Sequence, residues 1–77
     1  MKFVVCLEKQ NFGDFSNDDI SLGRLYELIE EDAGNGMVRI IDESGEDYLY
    51  PSSWFEPVLV RDAAALRLHD ALTKLVA

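Results

Sequence analysis

The chain has little of what usually builds a disulfide scaffold or a membrane anchor. Its 77 residues include one cysteine, one tryptophan, two prolines and five glycines. A single cysteine excludes an internal disulfide, so we expect Cys6, in the first apolar run, to be a small core residue in a reducing compartment. The sequence lacks a charged leader with an apolar segment, and it lacks an apolar run of the ~20 residues that span a bilayer. These absences predict a cytoplasmic protein that does not enter a membrane.

Histidine is also scarce, and this leaves little for catalysis or metal binding. The one histidine, His69, lies inside an apolar helical pattern, where we expect it to be solvated or partly packed. Ser52 and Ser53 have no G-x-S-x-G context and no second histidine to complete a triad. The segment DFSNDD lacks the turn glycine and the bidentate glutamate of a calcium loop, and zinc lacks a set of ligands. We therefore expect a protein that is not an enzyme and binds no cofactor or metal.

Basic residues are few, and the acidic residues are concentrated in the middle of the chain. Seven Lys and Arg oppose fifteen Asp and Glu, which gives a formal charge of -8. Between Asp14 and Glu56, twelve acids accompany only two bases, Arg24 and Arg39. Binding to nucleic-acid phosphates requires clustered Lys and Arg, so direct DNA or RNA binding is not expected. The acidity is either a solubilising shell or a functional anionic patch, and composition leaves both interpretations open.

The first half of the chain predicts two strands separated by a long loop. The segment KFVVCLE (Lys2–Glu8) is short and rich in β-branched and aromatic residues, which favours a mostly buried strand. The following KQNFGDFSNDDIS is rich in Gly, Asn, Asp and Ser and predicts a loop. In LGRLYELIEED, a strand would place Tyr26 and Leu28 on one face, but a helix is a rival, because Leu22, Leu25, Tyr26 and Ile29 fit a 3.6-residue period. Strand and helix remain alternatives for this segment.

Two turns divide the next part of the chain into short strands. AGNGM contains Asn-Gly, which supplies the positive φ angles of a tight hairpin, and ESGE places Gly45 at a second turn. MVRIID and DYLYP are the strands beside these turns, and Pro51 ends the second. SSWF favours a single helical turn, and EPVLV favours a last edge strand because Pro57 has no N–H to donate.

After Val60 the pattern becomes helical, and Asp62 can cap the first turn. Apolar residues then recur at spacings of three and four: Ala65, Leu68, Leu72, Leu75 and Val76. This stripe must be buried either on the open end of the barrel or against another copy of the chain. The sequence thus predicts one mainly β domain: a small five-stranded barrel over residues 2–60, followed by a C-terminal α-helix over residues 62–76.

Several of these segments resemble SH3 domains. SLGRLY is similar to the diverging turn of that family, in which Leu-Gly precedes the second strand. YPSSWFEPV resembles the SH3 segment that forms one helical turn before the last strand. The GNG and DESGED turns fall where the n-Src loop and the distal hairpin of the family would lie. Over roughly residues 3–60 the pattern is similar to short, uncharacterised bacterial and phage proteins that carry an SH3-like barrel, and this implies an SH3-like fold.

The resemblance also implies a partner-binding surface. Pro51 and Trp54 match the Pro and Tyr that line the peptide groove of SH3 domains, so Trp54 is expected to be partly exposed. The loop acids Asp14, Asp18 and Asp19 stand where such domains present carboxylates to a peptide arginine. The resemblance therefore implies that aromatic and acidic residues act together in binding.

The strand DYLYP adds two tyrosines to this surface. Because side chains alternate along a strand, we expect Leu49 to enter the core while Tyr48 and Tyr50 line the surface. In a second interpretation, which stays open, the aromatic residues only pack the rim of a very small core. The candidate partner-binding residues are Tyr48, Tyr50, Pro51, Trp54, Asp14, Asp18 and Asp19.

The expected function is that of a protein-interaction module that binds a basic or proline-containing segment of another protein, as a monomer or weak dimer. One alternative is an anionic mimic, whose carboxylates imitate nucleic-acid phosphates and occupy a DNA-binding protein. Another is a subunit of a larger assembly that docks through its helix. A concave patch around Trp54 would favour the module, and regularly spaced carboxylates on one face would favour the mimic.

Overall fold

The computed structural model describes residues 1–9 and 19–75, which form five antiparallel strands and one α-helix. The elements are β1 (Lys2–Cys6), β2 (Leu25–Glu30), β3 (Met37–Ile41), β4 (Asp47–Pro51), a 3-10 turn (Ser52–Trp54), β5 (Phe55–Val58) and α1 (Asp62–Leu75). The fold is mainly β, as predicted. The segment around Tyr26 is a strand and not a helix, and the single helical turn before the last strand is confirmed.

The strands form one sheet in the order β4-β3-β2-β1-β5. The first four follow one another as a meander, and β5 returns to pair with β1, where Phe3 lies opposite Val58. β5 is an edge strand with a single neighbour, β1, so Pro57 is tolerated there although it has no N–H to donate. Within the described residues β4 and β5 remain two separate edges, so the sheet is not closed into a barrel.

The turn between β2 and β3 has the backbone that its sequence predicts. Gly34, Asn35 and Gly36 all have positive φ angles, of 89°, 54° and 71°. The Met37 N–H donates to the Gly34 carbonyl at 3.0 Å, and the Ala33 N–H donates to the Met37 carbonyl at 3.0 Å. Glycine and asparagine tolerate this left-handed region far better than other residues, so the sequence fixes where the chain reverses.

The main core lies on one face of the sheet, at alternate positions of each strand. Its buried residues are Val4, Cys6, Ile20, Tyr26, Leu28, Val38, Ile40, Tyr50, Trp54 and Phe55. Cys6 is fully buried, as expected, and its burial raises the pKa of the thiol. The rings of Tyr50 and Phe55 come from the two edge strands, yet their centroids are only 6.0 Å apart. The sheet is therefore strongly curled around its core.

Helix α1 lies across the opposite face of the sheet. Phe3 is directly opposite Glu27 in the β1–β2 pair, and Glu27 is opposite Ile41 in the β2–β3 pair, so these three side chains share one face. The Nδ1 atom of His69 lies 2.6 Å from Oε1 of Glu27. Leu72, one turn further along α1, lines a cavity together with Ile41. The helix therefore crosses the strands, running from the β5 edge toward β3.

The helix is held on the sheet by a narrow stripe. Ala65 is the one buried residue between Asp62 and Leu75, and Leu72 is half-buried. Leu75 was expected in the buried stripe but is 64% exposed, so that prediction is wrong. At 3.6 residues per turn, Leu75 lies about 80° around the helix from Ala65, which turns it away from the sheet. Val76, the last residue of the predicted stripe, lies outside the described residues.

Candidate functional site

Trp54 and Tyr50 lie in the core and do not line a groove. Each is 4% exposed, and their ring centroids are 6.5 Å apart. The 3-10 turn carries the indole inward, and its end is fixed because the Trp54 carbonyl accepts a hydrogen bond from the Leu7 N–H at 2.8 Å. The prediction that Trp54 is partly exposed is wrong, because so small a core needs its largest aromatic side chains inside. Pro51, which ends β4, is half-buried.

The face of β4 that is buried is the opposite of the predicted one. Tyr48 and Tyr50 share a face, but they lie opposite Ile40 and Val38, whose side chains are buried in the core. Leu49 is consequently exposed, so its predicted place in the core is wrong. Tyr48 is still 48% exposed, because it lies next to the hairpin end of the strand. Alternation shows which residues share a face, but it does not show which face is covered.

A buried carboxylate, which the sequence analysis did not anticipate, supports the β3–β4 hairpin. Asp42 is 2% exposed. Its Oδ2 atom accepts a hydrogen bond from the Tyr50 hydroxyl at 2.7 Å, and its Oδ1 atom accepts from the N–H and the hydroxyl of Ser44. Burial and the hydrogen bond to Asp42 raise the pKa of Tyr50, so this hydroxyl remains a donor. An aspartate two residues before a serine at a Gly-containing turn is the signal that could have indicated this role.

Glu43 joins Ser21, which precedes β2, to Tyr26 within β2. Its Oε2 atom accepts hydrogen bonds from the Tyr26 hydroxyl at 2.6 Å and the Ser21 hydroxyl at 2.7 Å, and its Oε1 atom lies 2.9 Å from Nη1 of Arg24. Burial alone would raise the pKa of Glu43, but the bonds from Tyr26 and Ser21 and the charge of Arg24 outweigh it and lower the pKa. The carboxylate therefore stays ionised, and it links the β3–β4 hairpin to Ser21 and Arg24, which precede β2, and to Tyr26 within β2.

Beside this cluster, Tyr48 lies among carboxylates. Its hydroxyl donates to Oε2 of Glu46 at 2.9 Å. That bond and the charge of Glu46 raise the pKa of Tyr48, with smaller contributions from burial and from the charges of Asp42 and Asp19. Asp19 is exposed, and its carbonyl accepts a hydrogen bond from the Glu43 N–H at 2.8 Å, which fixes Asp19 against the hairpin.

We call Asp19, Glu46 and Tyr48 the acidic tyrosine surface. It brings together two of the predicted partner-binding residues, Tyr48 and Asp19, and adds Glu46. Asp14 and Asp18 lie outside the described residues. The arrangement offers an aromatic ring beside two exposed carboxylates, a combination that suits a cationic group.

A cavity of about 300 Å³ lies between α1 and the β3–β4 hairpin. Its polar walls include Arg24, Glu27 and His69, and its apolar walls include Ile41 and Leu72. The Nε atom of Arg24 is buried, and it has no hydrogen-bond partner in the described part of the chain. This volume is at the small end of the range for ligand pockets, and opposite charges on its walls favour neither an anion nor a cation.

The described residues contain no group of three or more His, Cys, Asp or Glu that could hold a metal ion. Over residues 1–9 and 19–75, no helix combines the length and the apolar character needed to cross a membrane. Comparison of the chain with protein-family models, with curated proteins and with solved structures gives no match.

Proposed function

We propose that this chain is a non-enzymatic interaction domain that binds a basic segment of another protein on its acidic tyrosine surface. The observation that carries the proposal is the position of Tyr48, a half-exposed aromatic ring whose neighbouring charged groups, Glu46, Asp42 and Asp19, are all carboxylates. An arginine or lysine side chain placed over this ring would lie beside the carboxylate of Glu46, which accepts a hydrogen bond from the Tyr48 hydroxyl, and would be attracted by the charge of Asp19.

Binding of a cationic partner requires both the Tyr48 ring and the neighbouring carboxylates. Exposed ion pairs contribute little individually, about 0.2–1 kcal/mol, and a cation over an exposed aromatic ring contributes about 0.5–1 kcal/mol. The net charge of -8 adds long-range attraction for a cationic partner. That attraction is screened beyond about 8 Å at physiological salt. Affinity therefore depends on contacts at the ring, while the wider charge mainly accelerates association.

Burial of the other candidate aromatics narrows the partner class. Trp54 and Tyr50 are core residues, and Pro51 is half-buried, so the aromatic channel that a proline-rich peptide needs is not available at these positions. The proposal is therefore a basic segment whose recognition does not depend on proline.

We extend the proposal to the fold type and the compartment. The return of β5 to β1, the 3-10 turn before β5 and the curl that brings Tyr50 to Phe55 all support an SH3-like fold, with its two edge strands left unpaired, of the kind carried by short bacterial and phage proteins. The buried thiol of Cys6, the only cysteine, supports a reducing compartment such as the cytoplasm.

The experiment is a titration of the isotope-labelled chain with an arginine–glycine peptide, followed by NMR, with the citrulline version of the peptide as the uncharged control. We expect chemical-shift changes at Asp19, Glu46 and Tyr48 with the arginine peptide only. Tyr48→Ala should weaken binding about two- to fivefold, the equivalent of losing the cation–aromatic contact. Tyr48→Phe should keep the ring and the affinity, and Leu49→Ala is the matched exposed control on the other face of β4.

The same titration separates the module from an anionic mimic of nucleic acid. A mimic binds almost entirely through ionic contacts, so its affinity falls steeply with salt and is insensitive to Tyr48→Ala. Shifts that spread over all exposed acids, with no effect of Tyr48→Ala and a steep salt dependence, would overturn the proposal in favour of the mimic.

A further inference from the structure

Helix α1 carries a second apolar stripe that the sheet does not cover. Ala64, Leu68, Ala71 and Leu75 follow one another at spacings of four, three and four. At 3.6 residues per turn they share one side of the helix, about 60–120° around from Ala65. Leu68 is half-buried, whereas Ala64, Ala71 and Leu75 are exposed. The spacing is that of the seam through which two helices pack along their length.

This stripe has a basic edge. Arg67 and Lys74 are seven residues apart and lie on the outward side of the stripe, away from the helix's own sheet. The exposed Asp70 lies on the same outward side but further from the stripe, so the edge that borders the stripe is basic. Arg67 and Lys74 are both exposed, and neither forms an ion pair with any residue in the described ranges. A surface that covers the stripe should therefore carry carboxylates where it meets this edge.

The sheet of the same molecule carries such carboxylates beside the helix. Glu30, Arg39 and Leu49 lie directly opposite one another across β2, β3 and β4, on the face that α1 crosses. Arg39 lies 3.4 Å from both Glu30 and Asp47, so one guanidinium is shared by two carboxylates, one on β2 and one on β4. Leu49 supplies an exposed apolar side chain.

The stripe faces this open half of the sheet. His69 and Thr73 line the cavity beside Gly45 of the hairpin, about 40–80° to one side of Ala65. The stripe lies to the other side, away from the hairpin. In the β3–β4 pair, Ile41 and Asp47 lie next to the hairpin turn, and Arg39 and Leu49 lie two positions further from it. Arg39 and Leu49 therefore lie on the same side of the helix as the stripe.

We propose that a second copy of this chain covers the stripe, in a two-fold dimer whose α1 helices run parallel and side by side between the two sheets. A two-fold axis parallel to the helices places the second sheet on the outward side of the first helix. The basic edge formed by Arg67 and Lys74 then meets Glu30 and Asp47 of the second copy, and the reverse contact forms by symmetry.

The charges select this arrangement over the antiparallel one. If the two helices ran antiparallel with both sheets on the same side, the basic edges would lie side by side on the outward surface, with Arg67 nearest Lys74 of the second copy and with no facing carboxylates from the second sheet. Like charges in that position oppose association. The pattern of one basic edge and one acidic half-sheet therefore fits a parallel pair.

The first test is the oligomeric state of the full chain by sedimentation velocity and light scattering over increasing concentration. We expect a species of twice the monomer mass that Leu75→Glu converts to monomer. Leu66→Glu is the matched control, because Leu66 is also a leucine of α1 and is also 64% exposed, but lies on the other side of the helix. A wild-type chain that stays monomeric at high concentration, or equal effects of the two variants, would overturn the proposal.

The second test distinguishes the direction of the helices and does not depend on the acidic tyrosine surface. In a parallel pair, identical residues face each other, so Leu75→Cys should form a disulfide-linked dimer rapidly under mild oxidation and Leu66→Cys should not. Cys6 is fully buried and does not compete. Slow cross-linking of Leu75→Cys, no faster than that of Leu66→Cys, would contradict the arrangement. Tyr48→Ala should leave the dimer intact, so failure of the peptide proposal would not affect this result.

Discussion

The Tyr50 hydroxyl donates a 2.7 Å hydrogen bond to Oδ2 of Asp42, and both side chains are more than nine-tenths buried. The bond joins a residue near the end of β4 to the residue that follows β3, so it connects the open end of the hairpin to its turn across the buried face. A buried carboxylate that loses a partner retains its full desolvation cost. This pair is therefore a polar contact on which the small core depends.

Tyr50→Phe should lower the free energy of unfolding by about 1.5–3 kcal/mol, the range for a hydrogen bond to a charged group. The ring and its packing remain, so the loss reports the bond itself. Urea denaturation measures it. Tyr48→Phe is the matched control, since it removes a hydroxyl bonded to Glu46 at the surface and should cost less than about 0.5 kcal/mol. Equal losses would show that the buried carboxylate does not need the hydroxyl.

The Glu43 cluster predicts a specific loss of stability in acid. The pKa of Glu43 is lower in the folded chain than its ordinary value of 4.5, because the bonds from Tyr26 and Ser21 and the charge of Arg24 outweigh burial. Its contribution is therefore complete above pH 4.5 and is lost as the pH falls through the lower, folded pKa. When unfolding is measured at several pH values from 7 to 3, the midpoint of denaturation should fall more steeply with decreasing pH in the wild type than in Glu43→Gln.

Glu56→Gln provides the control for that experiment, because Glu56 is exposed on β5. It should follow the wild-type pH dependence closely. If Glu43→Gln follows it as well, the cluster does not contribute to stability through ionisation.

Docking of α1 on the sheet can be tested with two alanines in its first turn. Ala65→Asp would place a charge at the buried position of the helix and should cost about 2 kcal/mol or more. Ala63→Asp is two residues away and exposed. There, a negative charge near the helix N-terminus should be neutral or slightly stabilising. Thermal unfolding of the two variants separates docking from the general effect of charge, and equal midpoints would show that the helix is not docked.

The strands and turns could be predicted because their signals are local. Asn35 and the glycines beside it require a reversal, and the short segments KFVVC and MVRII are rich enough in β-branched residues to favour strands. The edge position of Pro57 and the start of α1 at Asp62 follow from backbone chemistry in the same way. These predictions are confirmed because each depends on a few neighbouring residues.

The candidate site was harder to predict, because it depends on which side of each element is covered. DYLYP has tyrosines on one face and a leucine on the other, so hydrophobicity favours Leu49 for the core. The structure places Tyr50 inside instead, because Asp42 satisfies its hydroxyl there. A polar partner eight residues away decided which face is covered, and the alternation within DYLYP does not contain that information.

The return of β5 to β1 also determines which surface is at risk while the chain folds. β1 carries the apolar sequence KFVVC and becomes an interior strand only when Phe55–Val58 pairs with it. Such a pairing between segments distant in sequence tends to form late, since loop closure costs entropy before the contact is made. Until then, one edge of β1 exposes unpaired N–H and C=O groups on a strongly β-forming segment, the kind of edge that recruits other chains. Once β5 is in place, the outer edge contains Pro57, whose missing N–H and fixed φ make it a poor template for a further strand. Slow folding at high concentration should therefore favour aggregation, whereas the finished domain presents a protected edge.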